Sequence, residues 1–368
     1  MAANISEIPY TEIQERVLDI ARIGENTKSK VRGTIQDVYS REIATKFDWN
    51  FLFVNSGLTT VAEHKVGTVS INTGDTTLTF SSDAALTSAM TERKIKISGN
   101  DTVFDFTFTD TTGGTINPSF EGSSNADGNS YTIYQPIYSL AKDFDRFPKL
   151  GGIYKWQGGR KQILPEEPYQ EYVSNFQPTP STPEKVRLWG TDTAGAQSME
   201  FRPAPNQSRN YGYDYIRQVP PLTETSDGLI TIDAGSTAVV GGSPCRFNNA
   251  TTGDWLRISD LGVKGDSTWY RVLAIADDSS LTLSTAFANT AVTSANYVIS
   301  KAPEMPNRLH PAILFGSVRA LTLDQTDESF VAYNQKMAEA LSDAKRIHVS
   351  RVYDQQIHTI AEDFQYRR

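Results

Sequence analysis

The sequence predicts an α+β protein. It has a helical bundle core drawn from both chain termini, a small β meander, and two inserted antiparallel β-sandwich or barrel modules that repeat one another. Three observations predict this. Apolar residues recur at helical spacing near the two ends of the chain. Between the ends, apolar and polar residues alternate with the period of a strand. The alternating pattern also occurs twice, in register with itself. The implied division is 1–65 N-terminal core helices, 66–134 first β module, 135–226 core connector and β meander, 227–300 second β module, 301–349 C-terminal helical hairpin and 350–368 tail.

At the N-terminus, Thr11 can cap a helix carrying Ile13, Val17, Leu18, Ile20 and Ala21, with Gly24 as its stop. A second helix from about Ser29 places Val31, Ile35, Val38, Tyr39 and Ile43 on one side. It runs into the aromatic stretch Phe47, Trp49, Phe51 and Phe53, which reads as a core anchor, with a ligand-stacking platform as the alternative.

The repeat sets Gly67, Val69, Ile71, Gly74 and Leu78 against Gly228, Ile230, Ile232, Gly235 and Val239. Leu86 falls on Phe247, and Ile95 and Ile97 fall on Leu256 and Ile258. After a short insertion in the second copy, Thr102 to Phe104 falls on Thr268 to Tyr270, and Tyr131 and Ile133 close the first copy as Tyr297 and Ile299 close the second. Phe104, Phe106 and Phe108 point one way and Asp105, Thr107 and Thr109 the other, so each copy is built of short strands. Asp and Asn are frequent in the turns; ordinary turn chemistry accounts for them, and no run has the form of a calcium loop.

The middle is broken by Pro136, Pro148, Pro165, Pro168, Pro178, Pro180 and Pro183, which exclude a long helix. Three strands follow, at 185–189, 198–202 and 211–219, read as a meander. Tyr211, Tyr213 and Tyr215 share a face, which fits a sheet surface covered by protein; stacking of bases is the alternative. At the C-terminus, Leu309, Ala312, Ile313, Ala320 and Leu321, and then Phe330, Tyr333, Met337, Leu341 and Ala344, make two amphipathic helices separated by the Asp324–Asp327 turn.

The chain has 368 residues, 38% of them hydrophobic and 21% charged, as in a globular protein with room for sizeable cores. The net charge of −8 argues against a general nucleic-acid binder. The single cysteine, Cys245, allows neither an internal disulfide nor a cysteine zinc cluster. The sequence has no apolar run of the ~20 residues that span a bilayer and no signal-peptide pattern, so the expectation is a soluble protein made in the cytoplasm, without membrane contact. Phosphate-loop, dinucleotide, zinc-protease and serine-hydrolase motifs are missing. His64, His310, His348 and His358 form no ligand spacing, and the adjacent pair Glu166 and Glu167 does not face across a cleft as a hydrolytic pair must. The expectation is therefore a protein that is not an enzyme and needs no metal or cofactor.

The order of parts carries a resemblance. A helical end with a Trp-Phe-Leu run leads to a β insert and then to Tyr138-Ser-Leu140-Ala-Lys-Asp143-Phe144-Asp-Arg146. After it come Phe201-Arg-Pro203-Ala-Pro205, Tyr215-Ile-Arg217-Gln-Val-Pro220-Pro-Leu222-Thr and Pro306-Asn-Arg-Leu-His310-Pro-Ala-Ile-Leu-Phe-Gly316. This order resembles the head-to-tail adaptor, or connector, proteins of tailed double-stranded DNA bacteriophages. The resemblance implies a structural virion protein of the neck. It would form a dodecameric ring beneath the portal protein, extend the DNA channel and offer a platform to tail or nozzle proteins, while DNA passes without specific binding.

Two sets of residues are expected to make the contacts. Val38 and Leu341 sit on helix faces with more apolar positions than one small bundle hides, so they are expected at the subunit interface. Arg351, Val352, Tyr353, Ile357, Ile360, Phe364, Tyr366, Arg367 and Arg368 form an aromatic and basic tail expected to bind the portal, ordering as it docks; the alternative is that the last helix simply continues. The competing function is a tail or receptor-binding protein whose β modules hold a saccharide, with Trp255 and Trp269 as candidates. A cell-wall hydrolase is a third reading.

Overall fold

The computed structural model describes residues 7–148, 151–167, 179–259, 268–322 and 328–349. They form two compact units: Met1–Leu52 with Gln218–Arg368, and Phe53–Arg217.

The first unit opens with α1 (Tyr10–Ala21), which buries Tyr10, Ile13, Gln14 and Val17. Pro9 is its N-cap and Arg22, at φ 52°, ends it ahead of Gly24. Thr11 therefore lies inside the helix, and its hydroxyl donates to Glu224 at 2.8 Å. Helix α2 (Lys28–Asp37) continues as a π-helical turn over Val38–Ile43. Trp49 is fully buried, and its indole N–H donates to the Ile43 carbonyl at 2.8 Å. It anchors the end of this segment as a core side chain; truncating a buried aromatic of this kind costs about 3–5 kcal/mol.

The second unit starts with β1 (Phe53–Thr59) and continues into the first module: β2 (Val69–Ile71), β3 (Thr77–Phe80), β4 (Arg93–Ile97), β5 (Val103–Asp110), β6 (Gly113–Asn117), β7 (Asn125–Asn129) and β8 (Tyr131–Tyr134). The strand order is β7-β2-β3-β6-β5-β4-β8. The two edge strands, β7 and β8, follow one another in the chain with only Ser130 between them. The sheet must therefore curl until its edges meet at one end, which wraps it around its own apolar core of Val69, Leu78, Ile95, Phe104, Phe106 and Ile133.

Beyond the module come β9 (Ile137–Ser139), β10 (Phe144–Arg146), β11 (Ile153–Gln157), β12 (Arg160–Ile163), β13 (Lys185–Thr191), β14 (Gln197–Arg202) and β15 (Asn210–Arg217). The expected meander is not formed. Strands β13 and β14 pair, but β14 then pairs with β9, whereas β15 joins a different sheet between β1 and β11. The physical cause lies in Pro203 and Pro205, which lack the N–H groups that a continuing hairpin needs. The chain leaves the sheet there, and β15 finds a seven-residue register with β1, from Phe53↔Ile216 to Thr59↔Asn210.

The first unit resumes with β16 (Glu224–Thr225), β17 (Ile230–Ile232), β18 (Ala238–Gly241), β19 (Trp255–Ile258), β20 (Tyr270–Asp277), β21 (Ser280–Leu283), β22 (Val292–Ala295) and β23 (Tyr297–Ser300). Their order is β16-β23-β19-β20-β21-β18-β17-β22, the order of the first module with β16 added at one edge. The registers also coincide: Lys94↔Tyr134 and Ile97↔Tyr131 in one copy, Trp255↔Ser300 and Ile258↔Tyr297 in the other. Tyr131 donates its hydroxyl to the Val66 carbonyl at 2.6 Å, and Tyr297 does the same to Asp227 at 2.7 Å. Gly228 has φ +84°, and a Cβ there would stand 2.7 Å from the Cys245 nitrogen; its counterpart Gly67 has φ +80°. Only glycine fits such a position without strain.

Helices α3 (His310–Leu321) and α4 (Glu328–His348) follow. Gly316 of α3 lets the backbone approach Val38 and Met337. Ala320 is exposed rather than on the packed face, and the Asp324–Asp327 turn lies outside the described residues.

The fold class is thus corrected. Among the described residues strands account for 36% and helices for 24%, so the protein is mostly β and its core is not a helical bundle. Large apolar clusters lie inside the second module, inside the first module, and between the sheets that follow it. The helices are locally where their periodicity puts them. However, the alternating strands between them, though short, bury their own faces and carry most of the packing.

Candidate functional site

The residues expected to bind a portal, Arg351 to Arg368, lie outside the described residues. Val38 and Leu341, expected between subunits, are both buried within the chain's own first unit, at 1% and 8% exposure. The apolar side chains that face solvent are others, among them Val331 and Ile347 on α4 and Trp156 and Ile163 on the β11–β12 hairpin.

That hairpin has a distinctive form. Strand β11 pairs with β15 at Ile153 and Tyr154, and beyond that point it pairs with β12 alone, through Trp156↔Lys161 and Gln157↔Arg160. Gly158 and Gly159, at φ 59° and 77°, make the two-residue turn. The result is a two-stranded arm reaching past its sheet. It carries Trp156 at 64% exposure, with the Lys161 ammonium 4.1 Å from the Tyr154 ring centre at its base.

Other candidates prove structural. Tyr211, Tyr213 and Tyr215 are buried, which removes the base-stacking reading. Tyr213 accepts the Ala141 N–H at 3.0 Å and Tyr215 donates to Asp143 at 2.7 Å. Burial first, and then the Asp143 carboxylate, hold the Tyr215 phenol well above its usual pKa. Trp269 is buried beneath the Arg257 guanidinium, 4.7 Å from its ring, and the Trp255 indole donates to Glu7 at 3.1 Å. These two tryptophans therefore do not form an open saccharide groove. The Cys245 thiol is buried and faces the Leu229 carbonyl at 3.3 Å. Glu166 is exposed, while Glu167 is buried against Lys185 at 3.3 Å and Arg202 at 3.7 Å. Among the described residues, no three His, Cys, Asp or Glu side chains are grouped to hold a metal ion.

A cavity of about 310 Å³ lies in the second unit, where the first module meets the β13–β14–β9 sheet. The module supplies Lys94, Val103 and Tyr134; the sheet supplies Ile137, Trp189, Glu200, Phe201 and Arg202, with Pro136 and Ala204 beside them. Glu200 and Arg202 sit two apart on β14, so they share a face, with carboxylate and guanidinium 3.6 Å apart. Both side chains are about nine-tenths covered. Burial first, and then Glu200, push the Tyr134 phenol up to about 12, so it remains a hydrogen-bond donor. Trp189 is 40% exposed and stands with the Arg187 guanidinium 5.2 Å from its ring. The sequence carried one signal of this site, the charges Glu200 and Arg202 alternating with apolar Met199 and Phe201. It carried none of the partner wall, because the approach of module and sheet depends on long-range pairing.

No protein-family model matches the chain, and no curated protein matches it. Among solved structures, the chain is similar to "Phage phi92 endosialidase" at 12% identity and a TM-score of 0.19, over 67% of this chain and 30% of that one. The chain therefore spans less than a third of that protein's length.

Proposed function

We propose that this chain is a head-to-tail adaptor, a structural virion subunit that forms a ring beneath a portal, extends the DNA channel and receives tail proteins. The observation that supports the reading is the β11–β12 arm. A two-stranded hairpin alone is marginal in water. One that extends past its sheet with Trp156 and Ile163 in solvent is suited to lie on a neighbouring subunit. A head-to-tail contact of this kind joins two different surfaces, and rings close by rotation through such contacts. The net charge of −8 suits a channel through which DNA slides, because phosphate-neutralising charge is what makes DNA adhere.

Electron microscopy of the purified protein, alone and mixed with a portal ring, tests the reading. Closed rings are expected. Trp156→Glu is expected to leave single subunits with unchanged circular dichroism, since the side chain is exposed in the isolated chain. A wild-type protein that stays monomeric even beside a portal rejects the adaptor assignment.

A further inference from the structure

The β11–β12 arm does not account for the cavity between the first module and the β13–β14–β9 sheet, and the internal repeat shows what this surface does elsewhere. Lys94, Val103 and Tyr134 correspond to Trp255, Trp269 and Ser300 of the second module. There the equivalent outer face is covered by α1 and the residues before it. Glu7 accepts the Trp255 indole N–H at 3.1 Å, the Thr11 N–H donates to Ser300 at 2.9 Å, and Arg257 donates to Glu15 at 3.0 Å. The same architectural face thus receives a helix in one copy and leaves a cavity in the other.

We propose that this cavity is a binding site for a neutral saccharide, with Trp189 as the stacking wall and Glu200, Arg202, Tyr134 and Lys94 as the hydrogen-bonding groups. Its volume of about 310 Å³ is at the small end of ligand pockets and suits a ligand of one or two rings rather than a second helix. A pyranose has an apolar C–H face and a rim of hydroxyls that both donate and accept. The cavity offers the complement of each. Trp189 keeps a ring partly open to solvent, and the adjacent carboxylate and guanidinium provide acceptor and donor within 3.6 Å of one another.

Electrostatics selects the neutral class. Arg202 is balanced by Glu200 and by Glu167 behind it, and Lys94 is paired with Asp105. A charged ligand would lose its hydration on entering, beside charges that already pair with one another within the protein. Among the described residues Glu200 is the carboxylate lining the cavity. Glycoside hydrolysis needs two carboxyl groups flanking the bond, and the role proposed for this cavity is binding.

The test is saturation-transfer NMR and tryptophan-fluorescence titration of the full-length protein against a panel of neutral hexoses, N-acetylhexosamines and their short oligomers. Saturable binding by at least one of them is expected. Trp189→Ala should weaken it about tenfold or more, as loss of a stacking anchor does, and Glu200→Gln should weaken it with circular dichroism unchanged. Trp189 is half-exposed, so its variant reports on binding even if the substitution at buried Glu200 impairs folding. No saturable binding across the panel, or binding indifferent to Trp189→Ala, would each overturn the proposal. Subunits dispersed by the arm variant should bind the sugar as well as rings do, so failure of the ring reading and failure of this one are distinguishable.

Discussion

His310 shows how much a single side chain can depend on residues far away in the sequence. It is fully buried, with the Ile8 N–H donating to Nδ1 at 3.1 Å and Nε2 lying 3.2 Å from the Met305 carbonyl. An N–H aimed at Nδ1 makes that nitrogen the acceptor, so Nε2 carries the proton and the ring is neutral. Burial is the main cause that lowers its pKa below the usual histidine value; the Met305 carbonyl and Glu7 act in the opposite sense. The unfolded chain, with a histidine of ordinary pKa near 6.5, therefore binds more protons than the folded one below that pH. Stability is full above about pH 6.5 and falls as pH drops toward the lowered folded value. The melting temperature should decline between about pH 7 and pH 5. His310→Gln, which keeps an amide donor and acceptor but cannot titrate, should flatten that slope. An identical slope in the variant would assign the acid sensitivity to other groups, of which His64, also lowered by burial, is the next candidate.

At the scale of elements, the repeat and the C-terminal helix were legible to different depths. Matching glycines and alternating apolar positions identified the two modules, because turns and strand faces are local properties. The pairing partner of β15 was not legible, since nothing local distinguishes a return to β14 from a pairing with β1. Helix α4 buries Met337, Leu341 and Ala344, the stripe its periodicity marks, and leaves Val331 and Ile347 to either side of it in solvent. Beyond Val349 the chain carries Tyr353, Phe364, Tyr366 and three arginines. Truncation after Val349 should leave the melting temperature nearly unchanged and abolish co-sedimentation with portal rings, if that stretch is the dock. Retained co-sedimentation would move the portal contact to the two units, and unfolding would mean that the stretch packs on its own chain.

For the whole molecule, the division into units makes a prediction that the sequence did not. The second unit is one continuous stretch, Phe53–Arg217, while the first is assembled from both ends of the chain. The second has its own sheets and its own apolar clusters. A fragment spanning 53–217 should therefore fold alone and melt cooperatively. A fragment without a cooperative transition would show that its cores need the remainder of the chain. The first unit should resist such dissection, because Glu224 accepts hydrogen bonds from Thr11 and Gln14 at 2.8 and 2.9 Å and ties the second module to α1.

The sequence by itself determined several local forms: the helices near both ends, the alternating strands of a module that occurs twice, the strands at β13 to β15, and Trp49 as a core anchor. These follow from spacing and from turn chemistry, which act over a few residues. It did not mark β1, within a stretch read as helical, or β9 to β12, within a stretch read as a proline-broken connector. Only the tertiary structure decided that β packing, not a helical bundle, is the main core. It alone placed Val38 and Leu341 inside the chain, closed the second module's outer face with α1, and left a cavity on the first. The physical reason is one of range. A strand's face can be read from its own residues, but the sheet, helix or ligand that covers that face is chosen by pairing across the chain.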